Sequence, residues 1–164
     1  MLRNNFTDNE WQILKNTIKW IFRAVAEADG NIDLNEHQAI EFTFNLVKSF
    51  KSELARELIL DLKNDRSNLP ESQDNSFSEA KDDFKHASEI LQVKLDAADA
   101  LYFKKTILAI GLFIANSSGT LLSYRISNEE QQVIKLFALY FKLTNAEYYE
   151  SPSPLDIMGD FRVQ

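Results

Sequence analysis

Two stretches of the chain carry one pattern. The first, "IFRAVAEADGNIDLNEHQAIEFTFNLV", starts at Ile21, and the second, "IGLFIANSSGTLLSYRISNEEQQVIKLFALYF", starts at Ile110. Gly30 pairs with Gly119 and, across a five-residue insertion, Ile32 pairs with Ile126. Asp33 then matches Ser127, Glu36 matches Glu130, Ile40 matches Ile134 and Phe42 matches Leu136. Each copy reads as helix, glycine turn, isoleucine, capping box, helix. A chain that uses this unit twice is built of paired helices, and every other segment has to pack around them.

The rest of the sequence agrees with that. "TDNE" at residues 7–10 is a capping box, in which a Thr hydroxyl and a Glu carboxylate satisfy each other's backbone N–H groups. The helix it opens runs over 8–28, with Trp11, Leu14, Ile18, Ile21, Phe22 and Val25 on one face, and Gly30 offers a left-handed cap. A second helix starts from Asp33 and Glu36 and places Ile40, Phe44 and Val47 inward, with Phe42 and Leu46 widening the buried face. Ser52 caps a third helix, marked by Leu54, Leu58 and Leu62. Residues 64–76, "NDRSNLPESQDNS", read as a polar, mobile loop. "SFSE" at 76–79 caps a fourth helix carrying Phe77, Ala80, Phe84, Ala87 and Leu91, and "DAAD" at 96–99 starts a fifth, to about Asn116. Its second half is apolar all round, the mark of a central helix. Gly111 within it admits two readings, a close approach by a neighbouring helix or simple tolerance of glycine. "SNEE" at 127–130 caps a sixth helix, to about Leu143, and "TNAE" at 144–147 adds one more turn. The tail, 150–164, brings Leu155, Ile157 and Phe161. No segment alternates as a strand does. The expected fold is all-α: one globular domain over 1–164, of six to seven helices, with a helix-turn-helix repeat around a central apolar helix.

Composition narrows the function. Of the three Pro, two follow residue 150, and with only four Gly the helices before them run uninterrupted. There is no Cys, so disulfides and thiolate metal sites are excluded. The net charge is −7, and the densest basic spot is Lys104–Lys105, which argues against a nucleic-acid partner. The longest apolar run, residues 107–115, falls well short of the roughly 20 residues of a membrane span. No signal pattern opens the chain, which reads as a cytoplasmic protein. Catalysis finds little support: there is no Cys nucleophile, no paired-histidine metalloprotease motif and no glycine-rich phosphate loop, and "NSSGTLLS" at 116–123 reads as turn chemistry.

The first glycine turn also has the outline of a calcium loop, with Gly30, Ile32 and Glu36 at its sixth, eighth and twelfth positions. The ligand positions fail that reading. An EF-hand needs oxygens at its first, third and fifth places, which here hold Val25, Glu27 and Asp29. In the second copy Ser118 and Ser127 replace Asp29 and Asp33. A helix cap accepts that exchange, because either side-chain oxygen takes a backbone N–H, whereas a hard-cation site loses its charge.

Helix, "ADG", Ile, three residues, then Glu resembles the signature of TerB-like domains, the tellurite-resistance family, and the second copy, "SSG…RISNEE", is a degenerate version of it. The resemblance covers residues 8–143. It implies an all-helical cytoplasmic domain of tellurite resistance and wider stress response, acting through acidic surfaces, metal association and protein partners and not through established catalysis. The family's acidic positions fall on Asp29 and Glu36 in the first copy and Glu130 in the second, while Ser118 stands where the family has Asp.

Two candidate sites follow. Asp29, Asp33, Glu36 and His37 form a cluster suited to a divalent cation, calcium or zinc, with Asp29 and Glu36 as first ligands. The competing reading makes Asp33 and Glu36 helix caps and leaves Asp29 and His37 solvated, and it has the fuller physical basis. Asp82, Asp83 and His86 share a helix face at ligand spacing, against a solvated face between Lys81 and Lys85; Asp61 and Asp65 share another. Three functions remain: a non-enzymatic TerB-like module offering an acidic surface to a cation or protein; an interaction module without metal, binding a partner or a second copy; and, last, a carboxylate metal enzyme built on Asp82 and His86.

Overall fold

The computed structural model of the chain describes residues 1–26, 34–65, 77–117 and 128–149, with the backbone alone at 26, 34–37, 77, 116–117 and 149. Among the described residues the chain is all-helical. Its helices are α1 (Asp8–Ala26), α2 (Leu34–Asn45), α3 (Glu53–Asn64), α4 (Phe77–Lys94), α5 (Ala97–Ser117), α6 (Asn128–Tyr140) and α7 (Asn145–Tyr149). Short 3-10 turns, Leu2–Asn5 and Val47–Ser49, precede α1 and follow α2. No helix among the described residues is long and apolar enough to cross a membrane. Both glycine hinges, with Gly30, Ile32, Gly119 and Ile126, lie outside the described residues, as do most of the 64–76 segment and the 150–164 tail.

Side-chain oxygens start α1, α3, α5 and α7 as expected, while the expected caps Asp33, Ser76 and Ser127 lie outside the described residues. Thr7 N–H donates to Glu10 Oε2 at 2.8 Å, and Glu10 N–H donates to Thr7 Oγ1 at 3.2 Å. Thr144 and Glu147 close the same box before α7, at 2.7 and 3.1 Å. Ser52 Oγ accepts from Ala55 N–H at 3.2 Å, and Asp96 Oδ1 from Asp99 N–H at 2.8 Å. Each bond satisfies an amide that the first helical turn leaves unpaired.

The α1 face is buried as its spacing demands, from Trp11 through Leu14, Ile18, Ile21 and Phe22 to Val25. This helix touches α3, α4, α5 and α6, while α5 touches α1, α2, α3, α4 and α6. The centre is therefore a pair, α1 and α5, where a single central helix is expected from hydropathy. Gly111 lies at their contact: a Cβ there would sit 3.3 Å from Ile21 Cγ2 and 3.6 Å from Val25 Cγ2. Glycine thus permits the close approach.

The two halves of the repeat interlock. Among the described residues α2 rests on α5, and α6 rests on both α5 and α1. Ile21 and Val25 in the first half, and Ile110 and Ile114 in the second, are all buried. The core fills with aromatic rings. Phe84 stacks on Phe137 at 4.5 Å and meets Phe141 edge-on at 4.5 Å, while Phe22 meets Phe44 edge-on at 5.7 Å. Such geometries follow from the ring quadrupole.

Two expectations need correction. Phe42 does not widen the buried face of α2; it is 46% exposed. Its ring stacks on Phe113 of α5 but is left nearly half exposed among the described residues, so the amphipathic pattern alone overstates its burial. The α6 helix ends at Tyr140 and not near Leu143. Lys142 adopts φ 58°, and Leu143 N–H donates to Ala138 O at 3.1 Å while Lys142 N–H donates to Leu139 O at 2.9 Å. That is a Schellman turn with lysine in the place usually held by glycine.

Candidate functional site

The side chains of the first acidic cluster, Asp29, Asp33, Glu36 and His37, lie outside the described residues. Glu130, the acidic position of the second copy, is 2% exposed in the first turn of α6 and engaged there. It belongs to the interior and adds nothing to an acidic surface.

On α4 the expected trio divides. Asp82 and His86 are exposed on the outer face, one turn apart. Asp83 turns toward α1, where it accepts from the Trp20 indole N–H at 2.8 Å and from Asn16 Nδ2 at 3.2 Å. Asp83 is thereby committed to helix packing. Among the described residues no three or more His, Asp or Glu side chains gather as a metal site.

Asp61 and Asp65 are tied in the same way. Lys15 Nζ, on α1, lies 3.2 Å from Asp61 Oδ2 and 3.7 Å from Asp65 Oδ2, and the Trp11 indole N–H donates to Asp61 Oδ2 at 2.7 Å. Burial pushes the Asp61 carboxyl up, but the Trp11 and Lys15 hydrogen bonds together bring it below the usual aspartate value. Lys19, on the same helix, is pushed down by burial and then by the neighbouring Lys15. Both tryptophans of α1 thus fasten it to a carboxylate on another helix, α3 at Trp11 and α4 at Trp20.

Two surface features stand apart from this framework. The first is the outer face of α2. Gln38, Glu41, Phe42 and Asn45 line a shallow depression of about 260 Å³. Phe42 stacks on Phe113 of α5, with ring centroids 5.6 Å apart and planes 28° apart.

The second is a cavity of about 300 Å³ where α4, α5 and the end of α6 meet, with Lys104 and Ser88 in its wall. Lys104 Nζ donates to Ser88 Oγ at 2.9 Å and to Phe141 O at 2.8 Å. The Ser88 hydroxyl donates to the same carbonyl at 3.2 Å. Burial lowers the Lys104 ammonium from its usual range; Glu147 opposes that fall and Lys142 adds to it. In the sequence Lys104 registers only as part of a basic pair. Its partners lie on other helices, so no local spacing announces them.

Comparison with protein-family models, curated proteins and solved structures yields no match to this chain.

Proposed function

We propose that the chain is a TerB-like, non-enzymatic binding module. Its working surface is the outer face of α2 with the acidic hinge that leads into it. The partner is a protein that offers an apolar side chain flanked by basic ones.

One observation carries this reading above the others. Phe42 is a large aromatic left 46% exposed, yet it is held in place by its stack on Phe113. An aromatic already fixed on the surface loses little freedom on binding, and such residues dominate the energetics of protein interfaces. The charge of the partner follows from Glu41 beside Phe42, from Asp29, Asp33 and Glu36 in the adjoining sequence, and from the net charge of −7. The TerB-like part, with its link to tellurite and stress, is supported by the repeated glycine-turn pattern and by a bundle in which α1–α2 and α5–α6 are the repeated pairs.

The test is a photo-crosslinking residue at Gln38, used in the native host. A partner that cross-links there, and is lost with Phe42→Ser, supports the reading. Cross-linking no greater than from the same residue at Lys85 on α4 overturns it. Calorimetry with calcium and with zinc decides whether a cation takes part. Heat that disappears in Asp29→Ala places the ion at the first hinge, and no heat leaves a protein-binding module without metal.

A further inference from the structure

The recess between α4, α5 and the end of α6 combines three things: a volume of about 300 Å³ open to solvent on one side, a partly apolar wall and an amine held by two acceptors. Ala100, Leu101 and Leu143 supply the wall. A lysine ammonium carries three hydrogens and no lone pair; the neutral amine carries two hydrogens and one lone pair. At Lys104 the two acceptors, Ser88 Oγ and Phe141 O, match the two hydrogens of the neutral form. The lone pair then takes the remaining tetrahedral direction, away from both. The charged groups in the cavity wall are Lys142, at the end of α6, and Glu147, on α7.

We propose that this cavity is a carbonyl-binding site in which Lys104 Nζ forms a reversible imine with a small aliphatic aldehyde or ketone. The lone pair attacks the carbonyl carbon, and one of the two amine protons passes from nitrogen to the carbonyl oxygen to give a carbinolamine. The hydroxyl then leaves as water with the second proton drawn from nitrogen, and a C=N bond remains. One water is released, and no oxidant or reductant is consumed. The short apolar wall selects an uncharged chain of a few carbons. Burial, the main cause, lowers the basicity of Lys104, so its neutral fraction exceeds that of an exposed lysine at the same pH.

The rival role for Lys104 is to cap the last carbonyls of α6 as a charged group. The two roles predict opposite reactivity. Full-length protein is treated at pH 7 with limiting propanal and cyanoborohydride, which reduces the imine to a stable propylamine, and the labelled lysines are mapped by mass spectrometry. Lys104 is expected to label several-fold faster than the exposed Lys51 and Lys85, and the preference is expected to vanish in denaturant. Glu147→Gln removes the charge that favours the ammonium and keeps the cap, since glutamine also closes a capping box; it should label Lys104 at least twice as fast. Lys142→Asn removes the opposing positive charge and should slow it by a similar factor. Labelling of Lys104 no faster than Lys51 and Lys85 in the folded protein overturns the proposal. So does a preference that persists unchanged in denaturant.

Discussion

Gly111→Ala pits two effects of similar size against each other. Replacing glycine by alanine inside a helix gains about 1 kcal/mol in intrinsic propensity. Against this, the new Cβ would lie 3.3 Å from Ile21 Cγ2, with Ile21 Cδ1 at 3.5 Å and Val25 Cγ2 at 3.6 Å. Optimal carbon separations are roughly 3.5–4.0 Å, so Ile21 has to move by a few tenths of an ångström. Ile21 and Val25 are both fully buried, in the contact between the two central helices, and have no solvent to move into. Overpacking a closed core costs about 1–3 kcal/mol. The expected net effect is a loss of up to about 2 kcal/mol, read as a lower urea midpoint at unchanged slope and a melting temperature lower by up to about 8 °C. Ile21→Ala removes both the 3.3 Å and the 3.5 Å neighbour, so Gly111→Ala should cost less in that background, with a coupling of at least about 0.5 kcal/mol. A Gly111→Ala protein that is more stable by the full propensity gain, or a cycle without coupling, would show that Gly111 is a tolerated glycine and not a spacer.

Three further outcomes are expected. Lys142→Gly relieves a side chain held at φ 58° and should raise stability by about 0.5–1 kcal/mol in urea unfolding, since the exposed Lys142–Glu89 pair it gives up contributes little. Thr7→Ala should cost about 1 kcal/mol in the same assay, because it uncaps a central helix; Thr144→Ala, which uncaps only the five-residue α7, should change the global midpoint far less. Glu10, held down first by its bond to the Thr7 backbone, and Asp61 both sit below their ordinary values of 4.5 and 3.8 in the folded state. Their contribution is therefore complete above about pH 4.5 and is lost as pH falls through the lowered folded values, so the acid limb of a tryptophan-fluorescence stability profile should flatten in Asp61→Asn.

Local chemistry was the legible part of this molecule. The capping boxes at Thr7 and Thr144 and the caps at Ser52 and Asp96 involve residues three apart, and each forms as the sequence reading expects. The inward faces of α1 and α3 were equally plain, because each has a single apolar stripe. Phe42 shows where periodicity stops: it reports the side of the helix and is silent on whether anything covers that side. The end of α6 carries no glycine to announce its left-handed residue, Lys142, so apolar spacing alone extends the helix past its stop. The links from Trp11 to Asp61, Trp20 to Asp83 and Lys104 to Ser88 join helices distant in sequence. They decide which carboxylates and amines are already occupied, and so they reshape the candidate sites; Asp83 drops out of its trio for this reason alone.

The crossed arrangement of the repeat has a consequence for how the chain can be cut. In each half, the second helix leans on the first helix of the opposite half. A fragment carrying α1 and α2 alone would bare the apolar seats that α5 and α6 normally fill, and its most available complement would be a twin of itself. Separated, such halves would meet only as often as dilution allowed; on one strand they are always within reach, and the assembly no longer depends on how much protein is present.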